Sequence, residues 1–145
     1  MKTILENEFI TINYDNNQAL LTLQWTQNTS SMSPEKFQDL MFEIAHLIGE
    51  LGAKFFLADS TNFDFVIIPE MQHWVSGGFN HRMGLTGLKK MALVLPQEVF
   101  AQVSIVQTIE EIAENDPTDN FEILHTDSLS KAKKWLMETM EMQLN

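Results

Sequence analysis

The chain has 145 residues, 20 acidic against 9 basic, a formal net charge of −11 and no cysteine. That length suits one domain that buries a core without staples. Zero cysteine removes zinc-ribbon, iron–sulfur, thiol-nucleophile and disulfide-scaffold readings. The acidity argues against a nucleic-acid or anionic-membrane partner, because the tightest basic groups are only Lys89-Lys90 and Lys131/Lys133/Lys134, and it fits a soluble cytoplasmic protein.

The N-terminal residues Met1 to Glu8 hold no apolar stretch of signal-peptide length. The longest apolar runs (55–58, 65–69 and 91–96) fall far below the roughly 20 residues of a spanning helix, so no membrane insertion is expected.

Phe9, Ile10, Ile12 and Tyr14 make a first β-rich run, and residues 19–25 a second, with Leu21, Leu23 and Trp25 on one face. Between them Asp15-Asn16-Asn17-Gln18 tolerates left-handed backbone and predicts a hairpin. Ser33 is placed to cap a helix that Pro34 opens, with Glu35 in its first turn. Phe37, Leu40, Met41, Ile44, Leu47, Ile48 and Leu51 form its apolar stripe, and Gly52 ends it in the left-handed region.

Residues 54–60 are apolar on both faces, as in a strand covered by helices on each side. Ser60-Thr61-Asn62 punctuates the strand, and 63–68 is an unusually apolar loop. Pro69 starts a second helix bearing Met71, Trp74, Val75, Phe79 and Met83. Gly77-Gly78 within it costs about 1 kcal/mol each relative to alanine, which implies either close backbone packing or a bend. A strand at 88–95 ends at Pro96, followed by a helix at 97–114 with Val99, Phe100, Val103, Val106, Ile109 and Ala113 as its apolar stripe, a loop at 115–119 and a short strand at 121–124. Asp127 or Ser128 caps a last helix carrying Leu129, Ala132, Leu136 and Met140. The order ββαβαβαβα predicts a single α/β domain over 1–145, with four helices on a mixed, largely parallel sheet of about five strands.

The segments Leu23-Gln24-Trp25-Thr26, Gly52-Ala53-Lys54-Phe55-Phe56-Leu57-Ala58-Asp59, Pro69-Glu70-Met71-Gln72-His73-Trp74 and Gly87-Leu88-Lys89-Lys90-Met91-Ala92-Leu93-Val94-Leu95-Pro96 carry a resemblance. With the last strand and Ser130-Lys131-Ala132-Lys133-Lys134-Trp135-Leu136, they resemble a bacterial branch of STAS-like (SpoIIAA-like) domains. The resemblance implies that fold and a regulatory role. In the anti-sigma antagonists of that fold a strand-end Asp-Ser-Ser-Gly carries the phosphorylated serine. The matching stretch here is Asp59-Ser60-Thr61-Asn62, which makes Ser60 and Thr61 the candidate phosphoacceptors. The glycine is missing and the helix starts only at Pro69, which weakens the phosphate–helix logic.

A Ser60–His125–Asp59 triad lacks the glycine-rich nucleophile turn that a hydrolase uses. His46, His73, His81 and His125 show no metal-ligand spacing, and no phosphate-binding glycine motif occurs. No catalytic residue, metal or cofactor is assigned. The apolar excess at Phe63, Phe65, Ile67, Met71, Trp74 and Phe79 is then either core or a functional surface. As a surface it would serve self-association or an unknown protein partner, giving a non-catalytic interaction domain. As a pocket beside the second helix it would bind a small apolar molecule or lipid.

Overall fold

A computed structural model describes residues 1–115 and 121–144. Six strands form one mixed sheet in sequential order: β1 (Lys2–Glu6), β2 (Ile10–Asp15), β3 (Leu20–Trp25), β4 (Phe55–Asp59), β5 (Lys90–Val94) and β6 (Glu122–Thr126). The first three pair antiparallel, and β3 through β6 pair parallel. The helices are α1 (Pro34–Leu51), α2 (Pro69–Trp74), α3 (Asn80–Gly84), α4 (Val99–Asn115) and α5 (Leu129–Leu144). A π turn (Val75–Phe79) joins α2 to α3 without leaving helical dihedrals, so the two read as one rod. No described helix is long and apolar enough to cross a membrane.

Sequential parallel strands joined by right-handed crossovers put every connecting helix on one face of the sheet. Burial follows that rule. Leu21, Leu23, Phe56, Ala58 and Leu93 share a core with Phe37, Leu40, Ile44 and Ile48 of α1, with Phe79 and Met83 of the rod, and with Ala101 and Ile105 of α4. The opposite face, Leu20, Phe55, Leu57, Ala92 and Val94, is closed by Ala132 and Leu136 of α5. Beside them the Lys90 ammonium lies 4.5 Å from the centre of the Trp135 ring. This two-sided cover explains why β4 reads as an unbroken apolar run.

The helix ends form as their sequences dictate. Ser33 Oγ accepts the Lys36 N–H at 3.1 Å, and Gly52 takes φ 69° at the end of α1. Ser128, of the two candidates for the last helix, is the cap: its Oγ accepts the Lys131 N–H at 3.2 Å.

Three expectations need correction. The stripe expected on α4 is turned: Val99, Phe100 and Val103 are exposed, and the helix buries Ala101, Ser104, Ile105, Thr108 and Ile112. The sheet has six strands rather than about five, because Lys2–Glu6 adds an antiparallel edge. That strand is half-exposed and its register shifts between Thr3 and Leu5, so it carries no inward-facing alternation to read. In the first turn the left-handed residue is Ala19 (φ 52°), not one of the Asp/Asn residues before it. Asp15 Oδ1 instead accepts the Asn17 and Gln18 N–H groups at 3.0 and 3.3 Å, and the Ala19 carbonyl accepts from Lys54 and Phe55. The next strand therefore fixes the residue that the turn chemistry would have assigned elsewhere. The loop expected at 115–119 lies, from Asp116 onward, outside the described residues.

Tyr14, the single tyrosine, is buried with its hydroxyl 3.3 Å from the Leu51 carbonyl. Burial, and then the charge of Asp15, push its pKa above the usual 10.0. The unfolded chain thus ionises first: the Tyr14 contribution to stability is complete below pH 10 and is lost as pH rises through the folded-state value. Following phenolate absorbance in folded and denatured protein should show the folded titration displaced upward; coincident curves would contradict it.

Candidate functional site

Residues 61–68 belong to no strand or helix, yet Phe63 and Ile67 are buried. Their backbone groups are met by side chains from other elements. Thr29 Oγ1 accepts the Asp64 N–H at 2.8 Å, Ser104 Oγ accepts the Ile67 N–H at 3.0 Å, and Gln72 Nε2 donates to the Ile67 carbonyl at 2.8 Å. Held this way, the segment lays Phe63 against Trp25 (centroids 4.9 Å apart) and stacks Phe65 on Phe37 (5.0 Å, 19° between planes). The apolar loop is a wall of the core.

The α2–π–α3 rod follows directly. Three polar contacts tie it to α4: Gln72 Nε2 donates to Gln107 Oε1 at 3.0 Å, His73 Nδ1 meets Glu111 Oε1 at 3.0 Å, and Asn115 Nδ2 donates to Ser76 Oγ at 3.2 Å. The partners on α4 are four residues apart, one per helical turn. Within the rod the Asn80 N–H reaches back to the Val75 carbonyl, the wide i to i−5 pattern of a π turn. Such turns are rare and often lie at functional sites.

Between this rod, α1, α4 and the sheet lies a cavity of about 100 Å³. Apolar side chains line most of it, among them Trp25, Phe63, Ile67, Val75 and Phe79, with Met41, Met83 and Met91. Ser60 and Asn80 interrupt that lining, as does Thr108, whose hydroxyl donates to the Ser104 carbonyl at 2.8 Å. Among the described residues no charged side chain lines it.

Four of the sequence-derived candidates, Phe63, Ile67, Phe79 and Ser60, thus converge on one cavity. Met71 is buried behind it. Trp74 is half-buried on the outer side of the rod, edge-on to Phe42 at 5.2 Å and stacked on Phe79 at 5.7 Å. Phe65 is half-buried on Phe37. As a set these residues do not form an exposed patch; of the apolar residues of the segment, only Val66 and Ile68 are exposed. Sequence reasoning missed Asn80, Ser104, Thr108 and Thr29. The signal was present in Ser104 and Thr108: two polar residues four apart on the apolar face of α4.

The strand-end cluster is built differently. Asp59 Oδ1 accepts both the Thr61 N–H (3.1 Å) and the Thr61 hydroxyl (2.6 Å), and Gln24 Nε2 approaches its other oxygen at 3.4 Å. A polar groove of about 530 Å³ runs past Gln24, Thr26, Asn28, Asp59 and Asn62. Its one carboxylate already serves the turn. Ser60 is only 1% exposed, whereas Thr61 is half-buried with its hydroxyl on Asp59. His125 sits on β6, paired with Leu93 of β5, which separates it from β4. Two strand spacings put those backbones about 10 Å apart, so the structure does not assemble a Ser60–His125–Asp59 triad.

Comparison with family models, with curated proteins and with solved structures finds no match.

A methyl group placed on Gly77 or Gly78 would meet nothing within 4 Å. Of the two readings of this pair, close packing is therefore excluded. Gly77→Ala and Gly78→Ala should each raise the free energy of unfolding by about 0.5–1 kcal/mol, since both positions are helical and open. Urea denaturation measures this; destabilisation by either would mean that the wide turn itself requires glycine.

Proposed function

We propose that this domain binds a small apolar molecule in the cavity between the α2–π–α3 rod and the sheet, without catalysing a reaction on it. The cavity itself carries the reading. Interiors are packed with few voids larger than a water molecule, and an unfilled apolar volume costs about 24 cal/mol per Å³. For about 100 Å³ that is about 2.4 kcal/mol, a large share of the stability of an ordinary domain. An occupant recovers that cost. The wide turn and the two unpacked glycines in the covering rod supply the local softness through which an enclosed site exchanges its ligand.

The STAS-like reading is part of the same proposal, supported by the alternation of parallel strands and helices from β3 to α5 and by Asp59-Ser60-Thr61 at the end of β4. In that reading the accessible phosphoacceptor is Thr61 rather than Ser60.

Cyclopentane at tenfold excess over its dissociation constant should stabilise the protein by about 1.4 kcal/mol, raising Tm by about 3–6 °C. Amide shifts should concentrate at residues lining the cavity. Ile105→Phe, which fills the space, should abolish both effects. A wild-type spectrum unchanged at saturation overturns the proposal.

A second reading, self-association, has its own observation. Val99, Phe100 and Val103 project from the first turns of α4, with Phe100 71% exposed, and apolar groups clustered on a surface mark contacts between chains. Light scattering should then give a dimer that Phe100→Asp converts to monomer. A wild-type monomer at every concentration rejects this reading.

A further inference from the structure

We infer that the ligand carries a neutral hydrogen-bonding group, an alcohol or carbonyl, on a small apolar body, and that this group pairs with Ser60 or Asn80 of the lining; this rests on the cavity-binding function proposed above. Ser60 is 1% and Asn80 7% exposed, and both line the cavity. Neither side chain makes a hydrogen bond among the described residues, whereas Thr29, Gln72, Ser76, Ser104 and Thr108, the other buried polar residues, each make at least one.

No fully enclosed side-chain nitrogen or oxygen lacks a partner among the described residues. The free hydroxyl of Ser60 and the carboxamide of Asn80 therefore adjoin open space, and the space these residues line is the cavity. A buried polar group without a partner carries the full penalty of its lost hydration. A wholly hydrocarbon ligand would add to that cost by sealing both groups, while a ligand with one donor or acceptor removes it.

Charge and size narrow the class further. Among the described residues none in the lining is charged, so a carboxylate or ammonium would enter without a counter-ion to offset its lost hydration; the group is therefore neutral. An apolar cavity of about 150 Å³ admits benzene, so about 100 Å³ suits a ring or branched chain of similar or smaller size. Met41, Met83 and Met91 in the lining can shift to fit it, as unbranched thioether side chains do. The chemistry points to a small volatile-type alcohol, ketone or aldehyde rather than a fatty acid or phospholipid.

The test uses cyclopentanol and methylcyclopentane, which match in shape and differ in one polar atom, with dissociation constants measured by chemical-shift titration. The ratio of the two constants, compared between proteins, cancels their difference in hydration. Asn80→Leu should lower the relative affinity for the alcohol about tenfold, while raising Tm by removing an unpaired polar group. Ser60→Ala, the milder change and the safeguard should Asn80→Leu fail to fold, should shift the ratio in the same direction. Cyclopentanecarboxylate at neutral pH should not bind. Ratios within twofold of wild type in both variants, or carboxylate binding as tight as the alcohol, overturn the polar anchor and leave cavity binding standing. Failure of both neutral probes to bind wild-type protein overturns cavity binding itself, and the anchor with it.

Discussion

The segment from Thr61 to Ile68 is buried without secondary structure, and the rest of the helical layer depends on how its backbone is satisfied. Buried amides and carbonyls need partners. Here the Thr29 and Ser104 hydroxyls and the Gln72 amide supply them from three different elements. Ser104 itself donates to the Ala101 carbonyl at 2.9 Å, so a residue inside α4 is committed to both helix and loop. Those few bonds set the depth of Phe63 and Ile67, and hence the height at which Pro69 begins the α2–π–α3 rod above the sheet.

The cavity can be understood as the result of that height. The rod is tied to α4 by three polar contacts and reaches the sheet side through Val75, Phe79 and Met83. Around the gap are methionines, the most adaptable of apolar residues, instead of rigid β-branched side chains alone. Hydrogen bonds at the rim thus hold open what hydrophobic contraction would close.

Much of this fold was legible in the sequence. Ser33-Pro34 and Gly52 bracket α1 because caps act locally, and the stripe from Phe37 to Ile48 repeats at helical spacing. The unbroken run of β4 announced cover on both faces. β1 was hidden because an edge strand paired on one side needs no alternation, and the left-handed residue at Ala19 because its geometry is set by Lys54 and Phe55, far along the chain. The site was half legible. Phe63, Ile67 and Phe79 stood out as apolar excess, but whether such residues fill a core or surround a cavity depends on distances between elements. Asn80 passed unnoticed since one amide in a helix reads as solvent-facing until the helix is oriented.

A void in a folded chain is also a volume that unfolding abolishes. About 100 Å³ per molecule corresponds to about 60 mL per mole of protein, well within the range by which unfolding volumes favour the open chain under pressure. Hydrostatic compression therefore acts on the space under Val75–Phe79, and any molecule lodged there makes the fold less compressible.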